Sequence, residues 1–370
     1  MRTSINRRQF VEALGSGVLG LLAAACAPAA PSPTSTAAAS PVAASGAGMP
    51  SVRPLSPRAT VKVAFNPNII QLPFQVGIDK GYFDKAGIDV EVTNNTGSSN
   101  AMLPLLARGD IDVSNMTPSP ALYSQAQQGF DIRVVASHGI EKQGRITVAW
   151  LTVLKDKAAE IKSFADLKGR TVEGGAQGTV FDLLSLQALQ QANLVPGKDV
   201  NVTYRVRATA DTLALAQNKA ADVIAMVDPM ATQAEQQGWI VRWKTTGEVV
   251  PWYQPSILAM SSKFLTGSRA AAVKFIEVYL VASREINATN GQWTPDLLAT
   301  AAKWNNLDPS IITAQGGVVY FEPNAFLDPA SLERTQQFWM DTNQVKQLID
   351  ISQVMDITPT QDALATVGKL

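Results

Sequence analysis

Few residues in this chain could carry out covalent or metal chemistry. It has one cysteine, Cys26, and one histidine, His138, too few to assemble a zinc or iron site. No Gly-x-Ser-x-Gly nucleophile motif is present. The sequence therefore favours a protein that binds a small molecule without catalysis, with no cofactor and no metal. His138, at the end of a predicted strand, is expected to be structural.

Four loops combine polar side chains with positions where strands are predicted to end. Ligands of α/β proteins bind where the carboxyl ends of strands meet the following helices. We therefore expect the ligand in a crevice at these loops. The candidate ligand-binding residues in them are Asn66, Asn68, Asn115, Met116, Thr117, Gln177, Thr179 and Asp228.

The loops differ in the ligand that they favour. The amides of Asn66 and Asn68 can donate and accept hydrogen bonds, which suits a neutral polar ligand, and a simple Asn-Pro turn is the alternative. Thr117 could instead cap a helix. Glycines within 174–179 would leave N–H groups free at a helix start, which favours an anion or a carbonyl oxygen. Asp228 suits a ligand that donates hydrogen bonds and would repel an anion.

Aromatic side chains near the predicted return between two lobes offer a stacking surface. Trp252 and Tyr253 are candidate ligand contacts, because stacking a planar ring gains about 0.5–1.5 kcal/mol beyond area burial. The alternative is that both side chains fill the core. The four loops contain no Arg or Lys. Together these features favour a neutral or weakly charged planar heterocycle.

Short apolar runs alternate with amphipathic stretches in two successive blocks. Alternation of strands and helices predicts βαβ units and mostly parallel sheets. The two blocks, divided near residues 138–150, predict two α/β lobes, followed by a helix-rich C-terminal third. The predicted strands are 61–65, 88–92, 111–114, 132–136, 170–173, 200–204 and 223–226, and the predicted helices are 73–80, 101–108, 119–128, 180–192, 209–217, 231–237, 269–286, 295–304 and 329–344.

The N-terminus predicts export from the cytoplasm. Arg7 and Arg8 precede Phe10, and an uncharged stretch follows over residues 13–25, the order of a secretory signal. The paired arginines resemble a twin-arginine signal. Residues 1–25 are therefore predicted to be an export signal, and twin-arginine and general secretory export both stay open.

Cys26 is the predicted lipidation site. The sequence Leu22-Ala-Ala-Ala-Cys26 resembles a lipobox, with Leu four residues before the Cys instead of three. Residues 26–58 are rich in Pro, Ala and Ser and have little apolar surface to bury, so they are predicted to form a disordered tether. The expected location is the outer face of the cell membrane, held by the lipid anchor.

The body that follows, residues 59–370, is long enough for two lobes. The chain has 31 basic and 31 acidic residues, and its body has no long apolar run. This composition argues against nucleic-acid binding and against a membrane-spanning body. We expect one lobe to comprise residues 59–140 and 255–370, and the other residues 141–254, in a monomer.

Four motifs resemble those of ABC-importer solute-binding proteins from the sulfonate, nitrate and thiamine-pyrimidine-precursor branch. They read D-K-G-Y-F-D-K-A-G-I-D-V-E at 79–91, L-A-R-G-D-I-D at 106–112, D-L-K-G-R-T-V at 166–172 and A-D followed by D-P within 221–229. The resemblance runs over about residues 60–290. It implies a type II periplasmic-binding-protein fold, in which two lobes close over a small molecule. It also implies docking on a permease that works with an ATPase.

Within this family, the loop residues and the resemblance favour riboflavin first and a thiamine pyrimidine precursor second. A sulfonate such as taurine, or nitrate, is the alternative, because the loop at 174–179 could bind an anion. A second alternative is an enzyme like the eukaryotic branch that makes a thiamine pyrimidine. That branch has a cysteine-rich iron-binding segment, which this chain lacks.

Overall fold

Among the described residues, the strands form two five-stranded sheets. The computed structural model describes residues 53–65, 68–94, 99–142, 145–147, 149–205 and 209–370. The strands are β1 Ala59–Phe65, β2 Ile88–Asn94, β3 Val113–Met116, β4 Ile132–Ser137, β5 Ala149–Leu154, β6 Thr171–Glu173, β7 Asn201–Thr203, β8 Val223–Val227, β9 Ile240–Thr245 and β10 Ile257–Ser261.

The two sheets share one strand order. The first runs β2-β1-β3-β10-β4 and the second runs β7-β6-β8-β5-β9. β10 pairs antiparallel with β3 and β4, and β5 pairs antiparallel with β8 and β9, whereas the other pairs are parallel. Each sheet therefore holds four strands in one direction and one reversed strand. This is the predicted architecture of two lobes with mostly parallel sheets.

The reversed strands are where the chain passes between the sheets. β5 follows the first four strands and enters the second sheet, and β10 returns to the first sheet after β9. All five residues of β10 are buried, as expected of a strand that is covered on both faces. The strand order thus places the loops after β1, β3, β6 and β8 near these two crossings.

Helices cover the sheets, and several of them begin after the carboxyl ends of parallel strands. They are α1 Leu72–Asp79, α2 Tyr82–Lys85, α3 Leu103–Arg108, α4 Pro120–Gln127, α5 Val180–Gln191, α6 Thr209–Gln217, α7 Met230–Gln236, α8 Thr246–Val249, α9 Ser262–Gly267, α10 Arg269–Ala288, α11 Pro295–Asn305, α12 Pro309–Ala314, α13 Pro329–Asp341 and α14 Thr358–Val367. Short 3-10 helices lie at Ile69–Gln71, Ser99–Met102, Phe164–Leu167 and Ile351–Gln353. Over the described part of the chain, none of the helices has the length and hydrophobicity that a bilayer span requires.

One hydrophobic cluster joins the two sheets. It contains Met116 of β3, Leu151 of β5 and Trp339 of α13, all fully buried. The indole of Trp339 also donates a hydrogen bond to the backbone oxygen of Pro118 at 3.1 Å, which ties α13 to the loop after β3. The described residues belong to one compact unit, so the two lobes are packed against each other.

The predicted strands and helices have ends close to those in the structure, and the shift of the third strand has a physical explanation. The third strand lies at Val113–Met116 instead of 111–114. The reason is Asp112, whose carboxylate accepts a hydrogen bond from the backbone N of Lys62 at 2.8 Å. A side chain thus takes the place of a backbone acceptor, and the regular ladder begins at Val113, two residues after the predicted start. The strands β5, β9 and β10 were not predicted.

Candidate functional site

A small enclosed cavity lies where the loops after β1 and β8 meet. Its volume is about 50 Å³. Asn68 follows β1 and Asp228 follows β8, so two residues predicted from separate loops line the same space. The remaining lining residues are Ile69, Ile70, Thr147, Val227 and Val319.

The side-chain nitrogen of Asn68 is the group of this residue that is available to a ligand. Its Oδ1 accepts a hydrogen bond from the backbone N of Ile70 at 3.0 Å and so caps the short helix that follows. Its backbone oxygen accepts a hydrogen bond from Nε2 of Gln75 at 3.4 Å. With both oxygens engaged, the amide nitrogen is the group that can donate to a ligand.

Asp228 is held by four donors from three residues. Its Oδ1 accepts hydrogen bonds from the backbone N of Thr232 at 3.0 Å, from the Thr232 hydroxyl at 2.6 Å and from an Arg242 guanidinium nitrogen at 3.1 Å. Its Oδ2 accepts a hydrogen bond from the indole of Trp150 at 3.3 Å. Each oxygen of a carboxylate usually accepts up to two hydrogen bonds. Three donors crowd Oδ1, whereas Oδ2 accepts one hydrogen bond from the described residues. Oδ2 therefore keeps one position for a donor on a ligand.

The other lining groups make the cavity neutral and largely apolar. The Thr147 hydroxyl lies 2.8 Å from Oε1 of Glu141 and 3.3 Å from the backbone N of Thr246, so it is already hydrogen bonded. The remaining lining side chains are aliphatic, contributed by the β1 and β8 loops and by Val319. The cavity can thus hold a small uncharged group that both donates and accepts hydrogen bonds.

Two backbone N–H groups and one hydroxyl of the loop before α5 are hydrogen bonded within the chain. The backbone N of Gly178 donates to Oδ2 of Asp182 at 2.8 Å, and the backbone N of Gly175 donates to Oε1 of Glu173 at 3.3 Å. The Thr179 hydroxyl donates to the backbone oxygen of Ala176 at 2.6 Å. Carboxylates of the chain thus occupy two N–H groups of this loop, those of Gly175 and Gly178, which would otherwise be available to an anion.

Asp182 connects this loop to the C-terminal part of the chain. It is fully buried, and its Oδ2 also accepts a hydrogen bond from Nε2 of Gln344 at 2.8 Å. Burial raises the pKa of the Asp182 carboxyl, and the hydrogen bonds from Gly178, Gln344 and Tyr204 oppose that rise. Burial and the nearby Asp182 also raise the pKa of the Tyr204 hydroxyl.

Gln177 lies in a second, open groove of about 400 Å³. Gln177 itself is exposed, and the groove also contains Pro120 and Gln344. Gly178 has φ of +72°, and a Cβ added there would lie 2.9 Å from Cδ of Pro120. Only glycine fits this approach, which brings the start of α5 against the start of α4. The two lobes are therefore closed on each other at this point.

The three residues predicted after β3 line neither space. Asn115 is half-buried within β3 and pairs with Leu258 of β10. Met116 is buried in the cluster that joins the sheets, and Thr117 is half-buried in the loop that follows. The cap of α4 is Ser119, whose hydroxyl accepts a hydrogen bond from the backbone N of Leu122 at 3.4 Å.

The predicted aromatic contacts also lie away from both spaces. The rings of Trp252 and Tyr253 meet edge to face with centroids 6.3 Å apart. Tyr253 is buried in the cluster that joins the sheets, Trp252 packs against that cluster, and burial raises the pKa of the Tyr253 hydroxyl. Two predicted functional residues, Asn66 and Cys26, lie outside the described residues.

His138 is enclosed by aromatic side chains. Its ring stacks on Phe74 with centroids 4.9 Å apart, and its Nδ1 lies 3.2 Å from the Tyr279 hydroxyl. Complete burial lowers the pKa of His138 to about 3, so the ring is neutral. Among the described residues, no group of His, Cys, Asp and Glu side chains could hold a metal ion.

Thr147, Val319 and Arg242 were missed by the sequence analysis. Thr147 and Val319 line the cavity from the crossing segment and the C-terminal third, and no local pattern marks either of them. Arg242 becomes recognisable only once β9 Ile240–Thr245 is known, because a basic residue buried in a strand needs an acidic partner.

The chain is similar to a curated protein and to solved structures. The "Putative binding protein YtlA" of Bacillus subtilis (strain 168) is 23% identical over 253 residues, which are 68% of this chain and 73% of that protein. The periplasmic aliphatic sulphonate binding protein SsuA from Escherichia coli superposes with a TM-score of 0.64 at 20% identity, over 80% of this chain and 97% of that chain.

The periplasmic nitrate-binding protein NrtA from Synechocystis PCC 6803 superposes with a TM-score of 0.66 at 17% identity, over 84% of this chain and 89% of that chain. At these identities the structural matches establish the fold. The family described as NMT1/THI5 like matches residues 66–288, more than half of the chain. The chain therefore belongs to the NMT1/THI5-like family.

Proposed function

We propose that this chain is the extracytoplasmic solute-binding component of an ABC importer, which captures a small molecule and delivers it to a permease coupled to an ATPase. The observation that carries the proposal is the cavity shared by Asn68 of one lobe and Asp228 of the other. Structural neighbours with this fold include sulphonate- and nitrate-binding proteins and the ligand-binding component of an ABC-type import system from Staphylococcus aureus.

The proposed lobes, residues 59–140 with 255–370 and residues 141–254, would separate to admit the ligand and close around it. The contact between Gly178 and Pro120 is the closed arrangement. Opening there would widen the groove that contains Gln177. Asn68 and Asp228 line the cavity and Gln177 lines the groove; these three, with Asn66 and Thr179 predicted from the same loops, remain the proposed contacts.

For the ligand we propose a neutral planar heterocycle that carries an N–H donor. Asp228 keeps one acceptor position and Asn68 offers a donor, which suits a ring nitrogen beside an amino group. Cavities that hold drug-sized ligands measure about 300–1,000 Å³, and this closed cavity measures about 50 Å³. A single-ring pyrimidine precursor of thiamine requires less opening than riboflavin, so we now rank it ahead of riboflavin.

The alternatives have less support. A sulfonate or nitrate would meet Asp228 in the cavity and would find the N–H groups of Gly175 and Gly178 already bonded to carboxylates. An enzyme that makes a pyrimidine would need a reactive group at the cavity. The single histidine, His138, is instead packed between Phe74 and Tyr279.

Purification and a thermal screen test the binding function. Mass spectrometry of the denatured protein would identify a ligand that co-purifies. In a thermal screen against a thiamine pyrimidine precursor, riboflavin, taurine and nitrate, a ligand at 100 times its Kd adds about 2.7 kcal/mol to stability. We expect a shift with one of the two heterocycles. A shift with taurine or nitrate alone would contradict the ligand class, and turnover of any of them would contradict the binding function.

We also propose that acylated Cys26 anchors the protein to the outer face of the cell membrane. The support is the export signal and lipobox resemblance that precede it. The variant Cys26→Ser should be recovered in the soluble fraction instead of the membrane fraction, with its ligand binding intact. Retention of that variant in the membrane fraction would contradict the anchor.

A further inference from the structure

We propose that Arg242 determines the charge of the ligand that the site accepts, because it neutralises Asp228 from behind the cavity. This inference rests on the proposed binding function. Arg242 does not line the cavity, so it acts through Asp228 as a positioning residue. It is a residue whose role neither the family match nor the sequence motifs indicate.

Three neighbouring strands build this arrangement. In the second sheet β5 lies between β8 and β9, and Trp150, Asp228 and Arg242 come from β5, the end of β8 and β9. The Arg242 guanidinium lies 3.1 Å from Oδ1 of Asp228 and 5.0 Å above the ring of Trp150. Trp150 in turn donates to Oδ2 of Asp228 at 3.3 Å. The indole thus fixes the positions of both charged groups.

The burial of the pair makes the neutralisation effective. The side chain of Asp228 is 4% exposed and that of Arg242 is 16% exposed. Charges in such surroundings are weakly screened, so Asp228 without its partner would attract a cation strongly. With Arg242 present, the carboxylate offers one acceptor position and little net charge.

A second carboxylate provides the natural control. Arg242 Nε also lies 3.3 Å from Oε2 of Glu235, but that side chain is 42% exposed. Water and salt screen an exposed charge. Glu235 also does not line the cavity. If Arg242 acts through Asp228, then removing the charge of Glu235 should leave ligand selectivity unchanged.

An isosteric series of probes tests the inference in the full-length protein. Pyrimidine-4-carboxamide is neutral, the corresponding carboxamidine is cationic and the carboxylate is anionic at neutral pH. Calorimetric titration would measure their affinities for the wild type, Arg242→Met, Asp228→Asn, the double variant and Glu235→Gln. Circular dichroism would check that each variant is folded.

We expect the wild type to prefer the carboxamide. Arg242→Met should shift the ratio of cation to neutral affinity at least about tenfold toward the cation, and Asp228→Asn should shift selectivity toward the anion. The double variant should return to within about threefold of the wild-type ratio, and Glu235→Gln should not change it. If Arg242→Met does not fold, Asp228→Asn and the double variant still decide the outcome.

Two results would overturn different conclusions. If the wild type binds the carboxamide but the ratios do not change in Asp228→Asn and Arg242→Met, Arg242 has only a structural role and the binding function stands. If no probe binds any variant and no heterocycle shifts the unfolding temperature of the wild type, the proposed function fails, and the inference fails with it.

Discussion

The two lobes have the same strand order but differ in the charge of the polar side chains that are buried near their loops. In the first lobe the buried polar groups near the cavity are neutral amides, such as Gln71 and Gln75, together with the neutral ring of His138. In the second lobe three carboxylates are buried, two at the ends of β6 and β8 and one in the first turn of α5. Within the described residues, they are Glu173, Asp182 and Asp228.

This difference separates what makes the fold from what selects the ligand. Each lobe has one reversed strand in its sheet, and such a strand requires only an apolar run such as Ile257–Ser261. The buried carboxylates contribute nothing to that pattern, and each requires compensating donors. We infer that the first lobe supplies shape and that the second lobe, through the paired Asp228 and Arg242, supplies the preference for a neutral ligand.

The largest expected effect comes from the buried ion pair of the second lobe. Arg242→Met would leave Asp228 buried without a cation, and breaking such a pair costs about 3–5 kcal/mol of unfolding free energy. Denaturant unfolding would measure it. Arg58→Met is the matched control, because Arg58 pairs with Asp84 and Asp89 at the surface and its loss should shift the midpoint far less. Equal losses in both variants would remove the contrast between buried and surface pairs.

The neutral, buried His138 of the first lobe should make the unfolding free energy depend on pH. The pKa of His138 is about 3 in the folded chain and 6.5 in its ordinary state, so the folded state binds fewer protons. The stabilisation from the neutral ring is present above about pH 6.5 and falls by about 1.4 kcal/mol per pH unit below it.

Unfolding free energies at pH 7, 6 and 5 would measure this slope, before most carboxylates titrate. His138→Phe keeps the stack on Phe74 and should remove the slope, whatever its effect at pH 7. The same slope in wild type and variant would show that His138 is accessible to protons in the folded protein.

The hydrogen bond between Asp182 and Gln344 should have an intermediate effect. Gln344→Ala removes a donor from a fully buried carboxylate, and an unsatisfied buried group costs about 1–3 kcal/mol. The exposed Gln177→Ala is the control and should change stability by less than about 0.5 kcal/mol. If thermal unfolding midpoints of the two variants coincide, the Asp182 contact contributes little.

The smallest expected effect is a gain in stability, from the variant Asp182→Asn. The pKa of Asp182 is raised by burial, so its contribution to stability is present at low pH and lost as pH rises through its folded-state pKa. Asp182→Asn keeps an oxygen for Gly178 and Gln344 while removing the buried charge. It should therefore raise the unfolding midpoint at pH 7 and change it less at pH 4. A loss at pH 7 that is absent at pH 4 would mean that the charge is stabilising.

The sequence predicts the site where local rules apply. The rule that ligands bind at the carboxyl ends of strands placed Asn68 and Asp228 in separate loops of one predicted crevice, and they line one cavity. The alternation of strands and helices likewise predicted two α/β lobes. Both inferences needed only patterns of a few neighbouring residues.

The features of the fold and of the site that the sequence did not predict depend on contacts between distant segments. Apolar periodicity did not reveal that β5 and β10 cross between the lobes, because a fully buried strand shows no alternation. It gave no reason to connect Val319 with the loop after β1. Composition could not tell that Tyr253 is enclosed by the shared core, since an aromatic residue beside a ligand and one within a core have the same sequence pattern.

The most direct measurement is calorimetric titration of the wild-type protein with a thiamine pyrimidine precursor and, separately, with taurine and nitrate. If the paired Asp228 and Arg242 favour a neutral ligand, the neutral pyrimidine should bind with a measurable heat, and the two anions should give none at the same concentrations. Saturable binding of taurine or nitrate that is tighter than that of the pyrimidine would contradict the account.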